Sequence, residues 1–528
     1  MDSGLKPTLT LMSGRTVAFA ATFFIPVVLT RMFSQADFGT YKQLFLIYGT
    51  LYAIAQFGMA ESLFYFVPQA PRKAGRYVAN AMLLLAAAGL GCFVLLATTG
   101  SLITRWLSNR DLSPHLTSLG VFLALMMVSA VLEIVIIAHR GYRLAASSYG
   151  VSDLLRAALF VVPVLFVPHL ESLLLGAVAY AALRLTATIV YLSHAFKGDL
   201  RPDPARLRAQ LRYAAPFGIA ILFEIMQSSF HQYAVSYHFD AATFAVYAVG
   251  CLQIPFVDSV VTSAGNVMMV RMSDEVREGR TETVLSIWHD TIRDLALVCF
   301  PVVGVLLVTA RELIVSLFTP SYAASVPIFM VWSTEILLAV LRTDGVLRVY
   351  AETPFILTLN ALRLGLIVLL IGRFVESFGL MGAVLVTILA GVVAKGLALA
   401  RIARLMRVGA RRVVPWRTLA AILAIATGAG LVAWVARAAL ELPAVPTLFV
   451  TGLVYAGTYL GLVLQVGLLR ESERVAIAGW VRRLTGGVRR GGAGVLWSRE
   501  ASLPESGSSS VAGERAIAPS RPPAHGSR

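Results

Sequence analysis

The amino-acid sequence predicts an all-α polytopic membrane protein with about fourteen transmembrane helices. They form two pseudo-symmetric six-helix lobes followed by two C-terminal helices. Three observations predict this fold class. The 528 residues are 57% hydrophobic and only 14% charged, against roughly a quarter charged in ordinary soluble domains. The apolar residues form runs of bilayer-spanning length, and the basic residues collect in alternate loops, which excludes a soluble enzyme and a disordered protein.

The spans follow from the length of the apolar runs. A bilayer core of about 30 Å requires about 20 apolar residues per helix. By that length we predict fourteen spans, numbered in chain order: 11–31, 41–66, 77–100, 116–138, 147–168, 171–194, 212–237, 241–270, 292–316, 325–349, 353–373, 378–400, 417–437 and 446–468. The first span has no small-residue cleavage site, so we predict a retained helix.

The basic residues predict the orientation of the spans. With a cytoplasmic N-terminus, 33 of the 45 basic residues lie in cytoplasmic loops or the tail. Seven lie outside, namely Arg31, Lys42, Arg105, Arg110, Arg311, Arg373 and Arg437. Positive charge concentrates on the cytoplasmic side of membrane proteins. We therefore predict a multi-pass membrane protein with both termini in the cytoplasm, and the long apolar runs exclude a nucleic-acid partner.

Two motifs indicate an internal duplication. An F-x-x-Y motif opens span 2 at Phe38 and span 8 at Phe244, and a Gly-Arg pair follows each span. Transporter folds are commonly built from such repeats, with the substrate site between them. The predicted organisation is an N-terminal lobe (1–194), a cytoplasmic interlobe loop (195–212), a C-terminal lobe (213–403), spans 13 and 14 (404–469) and a basic, partly disordered cytoplasmic tail (470–528).

Ionisable groups within the spans are the candidate functional residues, because the sequence contains no HExxH, P-loop or GxSxG signature. We predict no enzymatic activity. Each ionisable group costs about 2.5–3.5 kcal/mol at a helix centre, so it should face a cavity or a partner. Polar stripes on equivalent spans of both lobes predict a central water-filled cavity: Arg15 on span 1, Tyr48, Tyr52, Gln56 and Glu61 on span 2, Glu224, Gln227 and His231 on span 7, and Asp258, Thr262 and Asn266 on span 8.

Structural roles compete with functional ones for several of these groups. Asp153 and Arg156 are spaced to neutralise each other, and Lys395 can extend toward the inner membrane surface. His231 resembles a satisfied core histidine. Arg15 can pair with Glu61. The remaining ionisable residues either line the cavity or form buried salt bridges between the lobes. These residues are Arg184, Glu224, Asp258, Glu335 and Arg363.

The runs Thr30-Arg-Met-Phe-Ser-Gln-Ala-Asp-Phe-Gly-Thr-Tyr41 and Gly58-Met-Ala-Glu-Ser-Leu-Phe-Tyr-Phe66 resemble the opening of bacterial polysaccharide (O-antigen type) flippases. Those proteins belong to the multidrug/oligosaccharidyl-lipid/polysaccharide exporter superfamily. The motifs cover spans 1 and 2 and, more weakly, spans 7 and 8. The resemblance implies translocation of lipid diphosphate-linked oligosaccharide across the bacterial inner (plasma) membrane by alternating access, for O-antigen or exopolysaccharide biosynthesis.

The resemblance also implies roles for individual residues. Arginine suits an anionic diphosphate because its guanidinium donates in a fork, and aromatic and amide groups suit sugars. The implied diphosphate contacts are Arg15, Arg184 and Arg363, and the implied sugar contacts are Tyr48, Tyr52, Gln56 and Gln227. The expected partners are membrane lipids, the lipid-linked oligosaccharide and other polysaccharide assembly proteins.

No resident cofactor or metal is expected, and Glu224 and Asp258 are the candidates for binding a coupling proton or sodium ion. One alternative is an ion-coupled multidrug or metabolite antiporter of the same superfamily, which would favour an acidic, aromatic cavity. A third hypothesis is a membrane-embedded glycosyltransferase, ligase or polymerase. The short outer loops argue against that hypothesis, because such enzymes usually need a substantial outer domain.

Overall fold

The computed structural model describes residues 22–440 and 442–470, which are helical almost throughout. The N-terminal lobe contains α1 (Thr22–Met32), α2 (Gln35–Gln56), α3 (Leu63–Gln69), α4 (Ala74–Thr98), α5 (Gly100–Trp106), α6 (Leu116–Ser129), α7 (Val131–Ala138), α8 (Tyr142–Phe166) and α9 (Leu170–Phe196). The C-terminal lobe contains α10 (Pro204–His238), α11 (Ala241–Gly250), α12 (Pro255–Arg277), α13 (Thr281–Val308), α14 (Ala310–Phe318), α15 (Val326–Ser333), α16 (Glu335–Ala339), α17 (Thr343–Val349), α18 (Thr353–Phe378) and α19 (Leu380–Leu405). The last two helices are α20 (Trp416–Ala438) and α21 (Ala444–Val466).

The helices match the predicted fold class. Within the described ranges, ten helical segments are long and apolar enough to cross a membrane. They correspond to predicted spans 3–6 and 9–14, while α1, α2, α10 and the α11–α12 pair correspond to the other four spans. Helices α4, α5, α6, α8 and α9 are each followed about 210 residues later by a counterpart, namely α13, α14, α15, α18 and α19. The predicted polytopic fold is confirmed.

Equivalent caps begin α2 and α11. The Ser34 hydroxyl accepts a hydrogen bond from the Asp37 amide at 3.1 Å, and the Asp240 carboxylate accepts one from the Thr243 amide at 2.9 Å. A side-chain oxygen at this position satisfies an amide that has no acceptor within the helix. Hydrogen bonds from the side chain and amide of Thr243 also hold the pKa of Asp240 below its ordinary value.

Several predicted spans are interrupted, among them span 4 at Ala130 between α6 and α7, and the prediction of continuous helices was wrong there. Span 2 breaks after α2, where Phe57 and Gly58 have φ angles of 47° and 70°. Span 8 breaks at residues 251–254, and span 10 breaks at residues 340–342. The interlobe loop is also shorter than predicted, because Asp203 caps α10 and the helix begins at Pro204.

The α20–α21 hairpin packs against the C-terminal lobe. Tyr455 donates to the Ala426 carbonyl at 3.0 Å within the hairpin, and Tyr459 donates to the Leu297 carbonyl of α13 at 3.0 Å. Gly304 of α13 is required at this contact, because a Cβ atom there would overlap the Tyr455 hydroxyl. The hairpin therefore contacts the lobe closely. The predicted tail lies outside the described residues from residue 471 onward.

Candidate functional site

A charged cluster lies inside the N-terminal lobe, centred on Arg184 of α9. Its guanidinium donates to Glu133 of α7 at 2.7 Å, to Ser152 of α8 at 2.5 Å and to Ser129 at 3.3 Å. The side chains of Arg184 and Glu133 are 14% and 4% exposed. Removing a charge from water costs several kcal/mol unless it is paired and hydrogen-bonded. Each of these two charges therefore stabilises the other.

Further hydrogen bonds surround the Arg184–Glu133 pair. Ser148 donates to the second Glu133 oxygen at 2.9 Å, and the hydroxyls of Ser152 and Tyr180 are 2.8 Å apart. All three nitrogens of the Arg184 guanidinium are thus engaged within the lobe. A substrate phosphate would have to share this guanidinium with Glu133.

A second ion pair lies on α8. Arg156 bonds to Asp153 one turn earlier at 2.6 Å, and it also donates to the Thr22 hydroxyl of α1 at 2.5 Å. The predicted neutralisation of Asp153 by Arg156 is confirmed. The same guanidinium also connects α1 to α8, which the sequence did not predict.

The aromatic stripe of α2 lies beside the Arg184 cluster. The rings of Tyr48 and Tyr52 stack with centroids 5.4 Å apart, and Tyr48 also packs against Phe122 at 4.8 Å. Both tyrosines are half-buried, and Gln56 one turn further is buried. Arg184 lies within electrostatic range of the Tyr52 hydroxyl. The structure therefore brings four of the predicted contact residues to one side of the lobe.

The C-terminal lobe contains a corresponding cluster. Arg363 of α18 pairs with Glu335 of α16 at 3.2 Å, and their side chains are 29% and 34% exposed. Lys395 of α19 donates to the Leu341 carbonyl at 2.9 Å and to the Thr343 hydroxyl at 3.0 Å. Leu341 lies in the break of span 10, where its carbonyl also accepts a 2.8 Å hydrogen bond from the Thr343 amide. Lys395 is therefore held by the interrupted segment of span 10, and its extension toward the inner membrane surface stays a prediction.

The two clusters occupy equivalent positions in the two lobes. Arg184 of α9 and Lys395 of α19 are about 210 residues apart, and so are Glu133 of α7 and Asp344 of α17. In each lobe the basic residue bonds to a residue in the second half of an interrupted span, Glu133 in α7 or Thr343 in α17. The duplication inferred from the motifs thus extends to the buried charges.

The clusters differ in their charge balance. In the C-terminal lobe, Arg342, Arg363, Glu335 and Asp344 all act electrostatically on Lys395. Among the described residues, these three bases and two carboxylates leave one net positive charge, whereas Arg184 and Arg156 are matched by Glu133 and Asp153. The sequence analysis did not single out Arg342. Nothing in the sequence shows that its guanidinium lies against α12, where Gly265 leaves room for it.

Two predicted site residues of α10 are buried in the C-terminal lobe. His231 is 2% exposed, and its Nδ1 lies 2.6 Å from the Tyr247 hydroxyl. The His231 ring also packs against Trp332 with a centroid distance of 5.2 Å. This geometry is that of a satisfied core histidine. Gln227, one turn earlier, is also buried.

The candidate coupling carboxylates are exposed. Glu224 lies on α10 and Asp258 on α12, and within residues 22–440 and 442–470 neither forms an ion pair. Asp258 shares an exposed face of α12 with Thr262 and Asn266. Glu61 is exposed as well, and its predicted partner Arg15 lies outside the described residues.

The lobes are connected at their predicted outer ends by a buried hydrogen-bond network, which we call the outer latch. Gln43 of α2 donates to the Ser236 hydroxyl of α10 at 2.6 Å and to the Leu107 carbonyl at 3.2 Å. Asn109 donates to Gln43 at 2.6 Å and to Thr40 at 2.8 Å. Gln43 and Ser236 are fully buried. The sequence analysis missed these residues, because polar groups at span ends carry no signal of a partner in another lobe.

Other contacts close the same side. Ser108 donates to the Tyr237 carbonyl at 2.7 Å, and Gln35 donates to the Ser321 carbonyl at 2.6 Å. Gly39 lies so close to Ala241 that a Cβ atom would overlap the Ala241 carbonyl. The predicted outer side is therefore closed in the described structure.

Comparisons with known proteins agree with this architecture. Residues 5–250 match the family described as polysaccharide biosynthesis protein. No curated protein matches the chain in sequence. Among solved structures, the lipid II flippase MurJ in an inward closed conformation has a TM-score of 0.66 at 11% identity and covers 86% of this chain and 100% of its own.

Multidrug transporters share the fold more distantly. An inward-facing MATE family transporter of the MOP superfamily has a TM-score of 0.53 at 14% identity, covering 75% of this chain and 99% of its own. A mutant of the Vibrio cholerae MATE transporter VcmN has a TM-score of 0.51 at 12% identity, covering 76% of this chain and 96% of its own. Residues 5–250 are thus similar to the family described as polysaccharide biosynthesis protein, and the described helices share the fold of the MurJ flippase and of MATE transporters.

Proposed function

We propose that the chain is a flippase that moves a lipid diphosphate-linked oligosaccharide across the bacterial inner membrane by alternating access. The transported molecule would supply cell-surface polysaccharide biosynthesis. The observation that carries the proposal is the grouping of three basic side chains, Arg342, Arg363 and Lys395, with only Glu335 and Asp344 to balance them among the described residues of the C-terminal lobe. Such an excess of positive charge is costly in a bilayer and is offset when an anionic group binds.

Arg363 is the strongest candidate for the phosphate contact. Its side chain is 29% exposed, whereas that of Arg184 is 14% exposed and fully engaged. Its single bond to Glu335 is long, at 3.2 Å. A guanidinium in this state has donors left for a phosphate, which accepts two parallel hydrogen bonds. Arg184 and the tyrosines of α2 would contact the substrate after the Arg184–Glu133 pair opens.

The closed outer side supports alternating access. The outer latch and the Gly39–Ala241 contact join the lobes there, while α12 leaves a polar face exposed further along the same lobe. A substrate entering from the cytoplasmic side would meet that face, and its release outside would require the latch to open. This proposal assigns the latch residues to gating and the charged clusters to binding.

Gene deletion with complementation tests the proposal. Deletion is expected to accumulate lipid-linked oligosaccharide on the inner leaflet, and the unchanged chain is expected to restore export. The Arg363→Ala variant is expected to fail. Arg373→Ala provides a matched control, because Arg373 lies on the same helix and is exposed at its predicted outer end. Normal export by the Arg363→Ala variant would refute the phosphate role.

A second candidate function is an ion-coupled multidrug or metabolite antiporter. The exposed carboxylates of Glu224 and Asp258 favour it, because unpaired acids at membrane depth can exchange protons or bind sodium ions. Coupling to these acids is also compatible with a flippase. The combined Glu224→Gln and Asp258→Asn variant is expected to lose transport, and unchanged polysaccharide export by this variant would exclude the coupling role.

A further inference from the structure

A cavity of about 480 Å³ lies between α14, α20 and α21 at the predicted outer face. Its polar lining is Arg311, Glu312, Arg437 and Thr447, and its apolar lining includes Trp434, Val315, Leu442 and Ala444. Cavities of about 300–1,000 Å³ accommodate small molecules or headgroups. This cavity is separate from the charged clusters inside the lobes and from the outer latch.

The described residues that line the cavity carry a net positive charge. Arg437 is held by Glu312, because its Nε and Nη2 both donate to one carboxylate oxygen, at 2.9 and 2.8 Å. Arg311 is exposed and has no ion pair among the residues that the structure describes. Among the described lining residues, one carboxylate therefore faces two guanidinium groups, and the exposed Arg311 guanidinium is available to an anion.

The location of these arginines is unusual for the predicted topology. Only seven of the 45 basic residues are placed on the outer side, and two of them converge in this cavity. A third, Arg31, binds the opposite end of α14 by donating to the carbonyls of Ser316 and Leu317 at 2.6 and 2.5 Å. Because basic residues are otherwise depleted on that side, this concentration calls for a specific anionic ligand.

We propose that the cavity binds the headgroup of an anionic phospholipid, such as phosphatidylglycerol, from the outer leaflet. Arg311 would contact the phosphate, and Arg437 would be fixed beside it by Glu312. Trp434 is 55% exposed, and an exposed tryptophan at a helix end is typical of the membrane–water interface. The apolar lining suits the glycerol and the beginning of the acyl chains. The inference rests on the proposed orientation and is independent of the transported substrate.

Native mass spectrometry of the purified full-length chain tests the proposal. Short-chain phosphatidylglycerol, short-chain phosphatidylcholine and soluble glycerol phosphate are titrated separately in neutral detergent. We expect phosphatidylglycerol to bind about tenfold more tightly than phosphatidylcholine, which corresponds to about 1.4 kcal/mol. Equal affinity for the two lipids would overturn the proposal, and so would glycerol phosphate binding as tightly as the lipid, since that would indicate a soluble-anion site.

Variants locate the site. Arg311→Gln is expected to lose the preference for phosphatidylglycerol while keeping the unfolding temperature, because Arg311 forms no ion pair within residues 22–440 and 442–470. Arg373→Gln removes another exposed outer arginine that does not line the cavity, and it should bind as the unchanged chain does. An equal loss in both variants would overturn the assignment. The binding assay requires no transport. A negative binding result would therefore leave the flippase proposal intact, and a negative transport result would leave the lipid-binding proposal intact.

Discussion

Replacing Ser236 with alanine should weaken the outer latch by a predictable amount. The substitution removes the 2.6 Å hydrogen bond from Gln43, which remains bonded to the Leu107 carbonyl at 3.2 Å and to Asn109 at 2.6 Å. One buried hydrogen bond contributes about 1 kcal/mol net. The Ser236→Ala variant should therefore raise the ratio of outward-open to outward-closed molecules about fivefold.

Distances between spin labels measure this shift. Leu102 on α5 and Phe378 at the end of α18 lie in different lobes at the predicted outer ends, and both are exposed. Labels at these positions, in a background with the three native cysteines replaced, should show a larger population of long distances in the Ser236→Ala variant. Ser333→Ala is the control, because the Ser333 hydroxyl bonds only to the Phe329 carbonyl within α15.

An unchanged distance distribution in the Ser236→Ala variant would refute the gating role of the latch. An equal shift in the Ser333→Ala variant would also refute it, because the effect would then follow from a general loss of a buried hydroxyl rather than from the contact between the lobes.

Three stability predictions follow from the packing, each measured by thermal unfolding in detergent. Glu133→Gln leaves the buried Arg184 charge uncompensated and should lower the free energy of unfolding by about 3 kcal/mol. Glu61→Gln, at an exposed site, should change it little. Gly304→Ala should cost about 1–3 kcal/mol by displacing Tyr455, and Gly452→Ala, where space is open, should not. Lys395→Met should lower the free energy of unfolding by about 1–3 kcal/mol, because it removes the bonds to Leu341 and Thr343. An unchanged melting temperature would instead favour a lysine directed toward the membrane surface.

The sequence predicted the spans well because hydrophobic length alone determines which segments cross a bilayer. It also predicted the Asp153–Arg156 pair, whose two residues are one turn apart on a single helix. These features depend on local order along the chain. The sequence also predicted that span 2 and span 8 are equivalent in the two lobes, because the F-x-x-Y motif at the start of each span is a local pattern.

Features that depend on distant contacts were not predicted. The break at residues 251–254 lies in an apolar stretch whose composition resembles a continuous helix. The bonds of Lys395 were not predicted, because nothing near it in sequence shows that span 10 is interrupted beside it and that the Leu341 carbonyl accepts from the lysine. Gln43 and Ser236 belong to different lobes, so neither identifies the other. The candidate site therefore needed the tertiary structure.

Reconstitution into vesicles tests the flippase proposal most directly. A fluorescent lipid diphosphate-linked oligosaccharide is incorporated with the purified chain, and a membrane-impermeant reductant bleaches the label on the outer leaflet. We predict that vesicles with the protein lose nearly all fluorescence, whereas protein-free vesicles lose only the outer-leaflet share and Arg363→Ala vesicles resemble them. Bleaching by the unchanged chain no greater than in protein-free vesicles would contradict the account.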